Sequence, residues 1–361
     1  EDITGNTKGA IGLMENRNII EDGGAKTSSA ISNLSTMKAL RHDTNLRRLG
    51  LLTVAVFVAM SALRPSLFLS TANLSSMAFQ FPEFGIIALA VMIAMVSGGI
   101  DLSSVRIATL SGIVAALILK GMTYLGNWSI ALAVVAALAT GVLCGIGNGL
   151  LISRLHVPPF LATLGTGELF AGIAIVITKG RAVYGFPESF TWIGNGAVWG
   201  IPVPVIVFAM VATAIAIVLG RTTFGSRIYM LGTNPVAAKF SGIDTSRTLL
   251  RAYTLSGFVS AIGGLAIISR TNSVKADYGS AYVLQAVLVS VMGGVDPSGG
   301  FGTVPGVCMA ILILQMLSSG FSMARFSNLL KEFVWGALLL SIMVVNVIGE
   351  RRRSKARISE D

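Results

Sequence analysis

Charge is what this chain lacks most. Only 12% of its 361 residues are Asp, Glu, Lys or Arg, against 53% that are hydrophobic, where a soluble domain carries about 25% charge. That scarcity excludes an ordinary water-soluble fold. Cysteine is nearly missing too. Cys144 and Cys308 lie in separate apolar runs, which excludes a metal site of the usual spacing and a disulfide framework, so both read as small packing residues. Aromatics make up 7% and no basic stripe is interleaved with them, so the net charge of +10 is not read as nucleic-acid binding. Alternating segments of about ten residues, the mark of a transmembrane barrel, do not occur. A phosphate-binding loop is missing as well. Its nearest approach, Gly23-Gly-Ala-Lys-Thr27, lacks the Gly before Lys and a strand ahead of it.

What is present is a series of long apolar runs, among them Leu49–Leu63, Ile130–Ile152, Val203–Leu219, Gly302–Leu317 and Phe333–Ile348. A helix needs about 20 mostly apolar residues to cross a hydrocarbon core of about 30 Å. The expected fold class is therefore an all-α polytopic membrane protein with about ten transmembrane helices, near 48–69, 78–97, 104–121, 128–152, 158–178, 201–220, 249–269, 281–296, 302–321 and 331–349. The second, third and eighth are interrupted by Gly, Pro or charge, so eight or nine also fits. Residues 1–45 are polar, with no apolar core for a signal peptide, and read as a disordered tail; the missing initial Met reads as a processed or trimmed start. The transmembrane domain is expected over 46–349, with a polar loop at 221–251, followed by a basic tail at 350–361.

Positive charge orients the spans. With both termini cytoplasmic, the inside holds the tails together with Arg106, Arg154, Arg221, Arg227, Lys239, Arg247 and Arg251. Eight of the 27 Lys and Arg fall outside: Arg64, Lys120, Lys179, Arg181, Arg270, Lys275, Arg325 and Lys331. The longest outside connection, 179–201, mixes glycines with Tyr184, Phe186, Phe190, Trp192 and Trp199. It reads either as an interfacial aromatic belt or as a platform for a soluble partner.

The polar loop contains Gly232-Thr-Asn-Pro-Val-Ala-Ala-Lys-Phe-Ser-Gly-Ile243. Asn234 is a good N-cap, Pro235 suits the first helical position and Gly242 a C-terminal stop. A short helix follows from these residues. It would rest on lipid headgroups or dock as a knob in a partner's groove. Ionisable groups within a bilayer are costly and functional by default. Glu83, Asp101 and Glu168 are the acids in or beside spans, with Gln80, Asn148, Gln285 and Gln315 as amides. Each also has a bland reading as a helix-end or interhelical hydrogen-bonding group. The stretch Gly141…Gly145-Ile-Gly147-Asn-Gly149 allows close helix approach, while Gly293-Gly294 and Gly299-Gly300 around Asp296-Pro297 break a helix.

Taken in order, Ser97-Gly-Gly-Ile-Asp-Leu-Ser103 with Leu110-Ser-Gly112, Gly147-Asn-Gly149, Val157-Pro-Pro-Phe-Leu-Ala-Thr-Leu-Gly165, Arg221-Thr-Thr-Phe-Gly225, the 232–243 loop, Leu255-Ser-Gly257 and Val291-Met-Gly-Gly294 with Gly299-Gly-Phe-Gly302 resemble bacterial ABC importer permeases of the ribose, xylose and arabinose type. The wider group includes autoinducer-2 and branched-chain amino-acid permeases. Gly185-Phe-Pro187 and Gly293-Gly-Val-Asp-Pro297 lie nearest the rhamnose, erythritol or autoinducer-2 members. One departure stands out: the family continues Ile-Asp-Leu-Ser with Val-Gly-Ser, and this chain has Ser104-Val105-Arg106.

The resemblance implies a non-enzymatic transport subunit in the bacterial inner membrane. It would carry a monosaccharide or small polyol delivered by a periplasmic solute-binding protein. The partners implied are an ATP-binding-cassette ATPase holding ATP and Mg, the binding protein and a second permease copy or paralogue in the bilayer; no cofactor sits on this chain and no nucleic acid is involved. Asn234, Pro235, Ala237, Ala238, Lys239, Ser241 and Gly242 would couple to the ATPase. Arg64, Lys179, Arg181, Arg270 and Lys275 would dock the binding protein. Glu168, Asn148, Gln285 and Gln315 would line the path. A permease for branched-chain amino acids or nucleosides, or an ion-coupled secondary transporter, is the alternative.

Overall fold

A computed structural model of the chain describes residues 45–279 and 282–358, with side chains described up to Val344 except at Asn328. The polar N-terminal tail therefore lies outside the described residues apart from Asn45, as do the side chains of the basic C-terminal stretch.

The chain folds as a helical membrane protein. Eight helices among the described residues are long and apolar enough to cross a bilayer. They are α1 (Asn45–Leu63), α3 (Thr71–Val96), α4 (Ser104–Gly121), α5 (Asn127–Ser153), α6 (Pro159–Thr178), α8 (Val203–Arg221), α11 (Thr245–Thr271) and α13 (Val304–Met323). Shorter helices lie between them: α2 (Pro65–Phe68), α7 (Glu188–Asn195), α9 (Thr223–Thr233), α10 (Pro235–Phe240) and α12 (Tyr282–Met292). The last, α14, runs from Asn328 to Ile358. The second and third segments are thus continuous, and α3 runs straight through Pro82. The eighth is not: α12 has 11 residues, about 16 Å of helix, which covers half a bilayer.

Proline sets several starts. It occupies the first or second position of α2, α6, α8, α10 and α13, where its missing N–H leaves no intrahelical bond unmade. The core is built around α3, buried continuously from Pro82 to Val96. Its other half, Thr71–Phe81, is largely exposed.

Helix α5 backs onto α11 through a glycine stripe. A side chain at Gly141 would fall on the Gly257 carbonyl, one at Gly145 on the Tyr253 carbonyl, and one at Gly149 on the Leu250 backbone. Without a hydrophobic driving force between helices in lipid, such close backbone approach supplies the packing energy. Gly147, one residue off the stripe, faces open space.

Two small antiparallel pairs close the end of the bundle remote from α10. β1 (Val183–Tyr184) pairs with β4 (Ser273–Val274). β2 (Ala197–Val198) pairs with β3 (Ile201–Pro202) across Trp199-Gly200. Both turn residues have positive φ, 51° and 80°, the mark of a type I′ hairpin.

Gly145→Leu should destabilise the purified protein by about 1–3 kcal/mol through overpacking, read as a lower melting midpoint in detergent. Gly147→Leu should leave the midpoint unchanged or raise it.

Candidate functional site

Three polar features interrupt the apolar bundle. The first is the short helix α10. Asn234 caps it as its sequence predicts, its Oδ1 accepting from the backbone N–H of Val236 and Ala237 at 3.0 Å each. Its other end closes with the Ile243 N–H donating to the Ala238 carbonyl (3.1 Å) and the Gly242 N–H to that of Lys239 (3.1 Å). Gly242 takes φ +76°, which completes a Schellman motif. Of the residues read as coupling, Ala238 is buried, whereas Asn234, Pro235, Ala237, Lys239, Ser241 and Gly242 are exposed. The more telling pair was not among them: Val236 and Phe240 are 64% and 89% exposed and present an apolar face at the end of the bundle.

The seat under this helix is made of backbone. α9 leads directly into α10, and a side chain at Gly232 would collide with the Val96 carbonyl and the Gly300 amide. Gly98 and Gly299, at φ +95° and +94°, pack against the same glycine. The Gly300 N–H donates to the Val96 carbonyl at 2.9 Å, and Tyr229 Oη donates to the Gly302 carbonyl at 2.7 Å. Burial pushes the Tyr229 phenol up to about 12, so it stays a donor throughout the physiological range. Through these contacts α9 grips both the end of α3 and the connection between α12 and α13.

The second feature surrounds Asp101, in the break between α3 and α4. Its carboxylate is 1% exposed. It accepts from the Ser103 N–H (2.9 Å), Ser103 Oγ (2.6 Å) and Ser256 Oγ of α11 (2.9 Å). Asn148 of α5 donates to Ser103 Oγ at 2.7 Å. Thr163 of α6 accepts from the Leu102 N–H at 3.2 Å and donates to the Ile100 carbonyl at 3.0 Å. Five helices therefore meet on one seven-residue motif. Asn148, read as lining the path, is a member of this cluster. Ser256 and Thr163 could have been suspected from lying in Leu255-Ser-Gly257 and in 157–165.

Arg106, in the first turn of α4, has a partner. It lies 3.8 Å from Glu168 of α6, with the two side chains 22% and 72% exposed. Arg106 and this acid form a partly exposed interhelical pair.

The third feature is set midway along α3. Glu83 of α3, 4% exposed, accepts from Arg270 Nε and Nη2 of α11 at 2.8 Å each and from Tyr282 Oη of α12 at 2.8 Å. Of the residues read as docking the binding protein, Arg270 is thus engaged within the bundle, its side chain 28% exposed. Arg64, Lys179 and Arg181 are exposed, and Lys275 is paired with Asp277 at 2.9 Å. The four residues read as lining a path are not brought together. Asn148 belongs to the Asp101 cluster, Glu168 to the Arg106 pair, Gln285 is half-buried on α12, and Gln315 is buried on α13.

Crossing helices tied by buried polar clusters, with a capped helix presented at one end, define a multi-pass membrane protein. A family model described as a branched-chain amino acid transport system permease component matches residues 73–343. The autoinducer 2 import system permease proteins LsrD of Escherichia coli (strain K12) and Shigella flexneri are each 31% identical to the chain over 323 residues, covering 87% of it and 95% of the relative. No solved structure matches. The chain belongs to this family of permease components. It is a permease subunit of an ABC importer, a class that works with an ATPase and a binding protein.

Glu83→Gln and Arg270→Met should each lower stability by about 3–5 kcal/mol, because either leaves a buried partner unpaired. The double substitution should recover part of the loss, which a double-mutant cycle of detergent melting measures.

Proposed function

We propose that the chain carries a neutral monosaccharide, a related polyol or a similar small hydroxylated solute across the bacterial inner membrane. In this reading a second copy or a paralogue completes the path, both termini and α10 face the cytoplasm, and a periplasmic binding protein delivers the solute to the opposite face. ATP and Mg stay on the ATPase. The name of the LsrD relatives makes autoinducer 2 one candidate solute. The family description keeps branched-chain amino acids as the second reading.

The observation that carries the proposal is the form of α10. Capped at both ends and anchored by buried Ala238, it turns Val236 and Phe240 outward. An apolar pair so exposed on a two-turn helix calls for a partner's groove. Arg154, Arg221, Arg227, Arg247 and Arg251 share its end of the bundle, which supports the cytoplasmic assignment. Because α9 carries α10 and packs on Gly98, Gly299 and Gly300, a rigid-body displacement of α10 by ATPases closing on nucleotide would reach α3 and α12–α13 directly. Toward the other end of the bundle Arg64, Lys179 and Arg181 are exposed, as are Trp192, Trp199 and Tyr184, at 51%, 98% and 68%. That combination suits docking of an acidic, soluble partner.

Phe240→Asp in a complex reconstituted with its ATPase and binding protein should cut binding-protein-stimulated ATP hydrolysis about tenfold or more, with binding-protein docking unchanged. Bulky substitutions at Ala237 should do the same by blocking the groove, and at Ala238 by lifting the helix from its seat. Undiminished hydrolysis and uptake in all three would refute the coupling role.

A further inference from the structure

The exposed half of α3 is not apolar. Asn73, Ser76 and Gln80 recur at three- and four-residue intervals, which places them on one stripe of the helix. They face Gln315, Ser318 and Ser319 of α13 across a cleft of about 260 Å³. That size lies just under the ~300 Å³ at which pockets for drug-sized ligands begin. Counted from the α10 end of α13, Gln315 stands about 16 Å along the helix axis and Ser319 about 22 Å, so the cleft runs from mid-bundle toward the far face.

Some of its hydrogen-bonding capacity is used internally. Ser319 Oγ donates to Asn73 Oδ1 at 2.7 Å, and Gln80 Nε2 to Ser76 Oγ at 2.7 Å. Gln315 is different. It is 4% exposed, it lines the cleft, and its amide makes no hydrogen bond among the described residues. An amide that opens on a cleft is costly to leave unpaired once water is excluded from it, and a lipid chain in the cleft would exclude water. Water or a hydroxylated molecule would satisfy it.

We propose that this cleft is a solute station for an uncharged, polyhydroxylated molecule. The inference rests on the import reading above and gives its solute a place in the fold. Hydroxyl and amide side chains can donate and accept, so they match hydroxyl groups in any orientation. No Asp, Glu, Lys or Arg lines the cleft; Lys331 reaches Ser322 Oγ at 2.7 Å and supplies a single cation nearby. A zwitterionic amino acid would have to bring its carboxylate and ammonium groups together into a wall without opposite charges, an unfavourable burial.

The test uses the full chain reconstituted in proteoliposomes with its ATPase and binding protein. Labelled rhamnose, ribose, erythritol, autoinducer 2 and leucine are supplied in turn. At least one hydroxylated probe is expected to be imported and leucine is not. Gln315→Leu and Ser76→Leu should each reduce that uptake about tenfold, the effect of losing one hydrogen bond to the solute, while stimulated ATP hydrolysis stays within about twofold of the parent. Gln315→Asn should restore most of the uptake. Parental uptake by both Leu variants, or import of leucine alone, overturns the station. Loss of import and of stimulated hydrolysis in the parent itself would overturn the import reading and the station with it. Ser76→Cys gives a second readout independent of transport. A membrane-impermeant charged thiol reagent should label it faster than the parent chain, and the imported probe should slow the labelling. Cross-linking between two copies through that position, without labelling, would show that a second subunit fills the cleft and would overturn the proposal.

Discussion

A chain that leaves the helical state inside a membrane frees backbone groups that lipid cannot satisfy, and this protein meets that constraint at one place above all. Between α3 and α4 the segment 97–103 is non-helical and largely buried. Asp101 takes the Ser103 amide, Thr163 takes the Leu102 amide, and the Ile100 carbonyl receives the Thr163 hydroxyl. Each satisfied group recruits another helix. The break costs little because α5, α6 and α11 supply its hydrogen bonds. The same contacts fix how those helices stand about α3, so a local need for partners sets the arrangement of half the bundle. Helix α9 completes the end by closing on Gly98 from the other side.

Much of this was legible in the sequence, for identifiable reasons. Apolar length alone locates crossing helices, and α10 follows from Asn234, Pro235 and Gly242 because capping is a matter of neighbouring residues. The glycines of α5 signalled close approach, though not that α11 was the neighbour. What could not be read are partners distant in the chain. Arg270 looked like a surface cation because nothing near it in sequence is acidic, yet Glu83, 187 positions away, holds it. Arg106 looked like a disturbance until α6 brought Glu168 beside it. The half-length of α12 was only hinted at by the glycines after Met292. That Tyr282 on it meets Glu83 is a tertiary fact. The stripe of Asn73, Ser76 and Gln80 was visible as a spacing, but its meaning waited on the serines of α13 opposite.

The importance of α3 comes from its touching both ends at once. Its 26 residues span about 39 Å, and its C-terminal carbonyl at Val96 bonds the glycine connection on which α9 rides. Its middle carries Glu83, clamped to α11 and α12. Its far half presents the polar stripe to α13. Packed interiors transmit displacement instead of absorbing it, and the buried segment from Pro82 to Val96 is the most enclosed part of the molecule. On the proposed reading, a push on α10 is therefore delivered to the polar cleft by a single rigid helix, with the Glu83–Arg270 pair as the point about which its two halves are held.

The chemistry of the two ends differs in the way such a lever requires. At the α10 end the contacts under α9 are glycine backbone against glycine backbone, with Tyr229–Gly302 and Gly300–Val96 as directional bonds; surfaces of this kind can tilt without stranding a buried side chain. At the cleft the groups are short hydroxyls and amides whose hydrogen bonds can be exchanged among themselves, with water or with a passing solute at nearly equal energy. Between them lies the ionic clamp, which cannot be opened without exposing a charge to a poor solvent. A firm middle with compliant ends lets one helix move as a body while the site it carries holds its solute only weakly, and weak holding is what a conduit needs if the molecule is to leave.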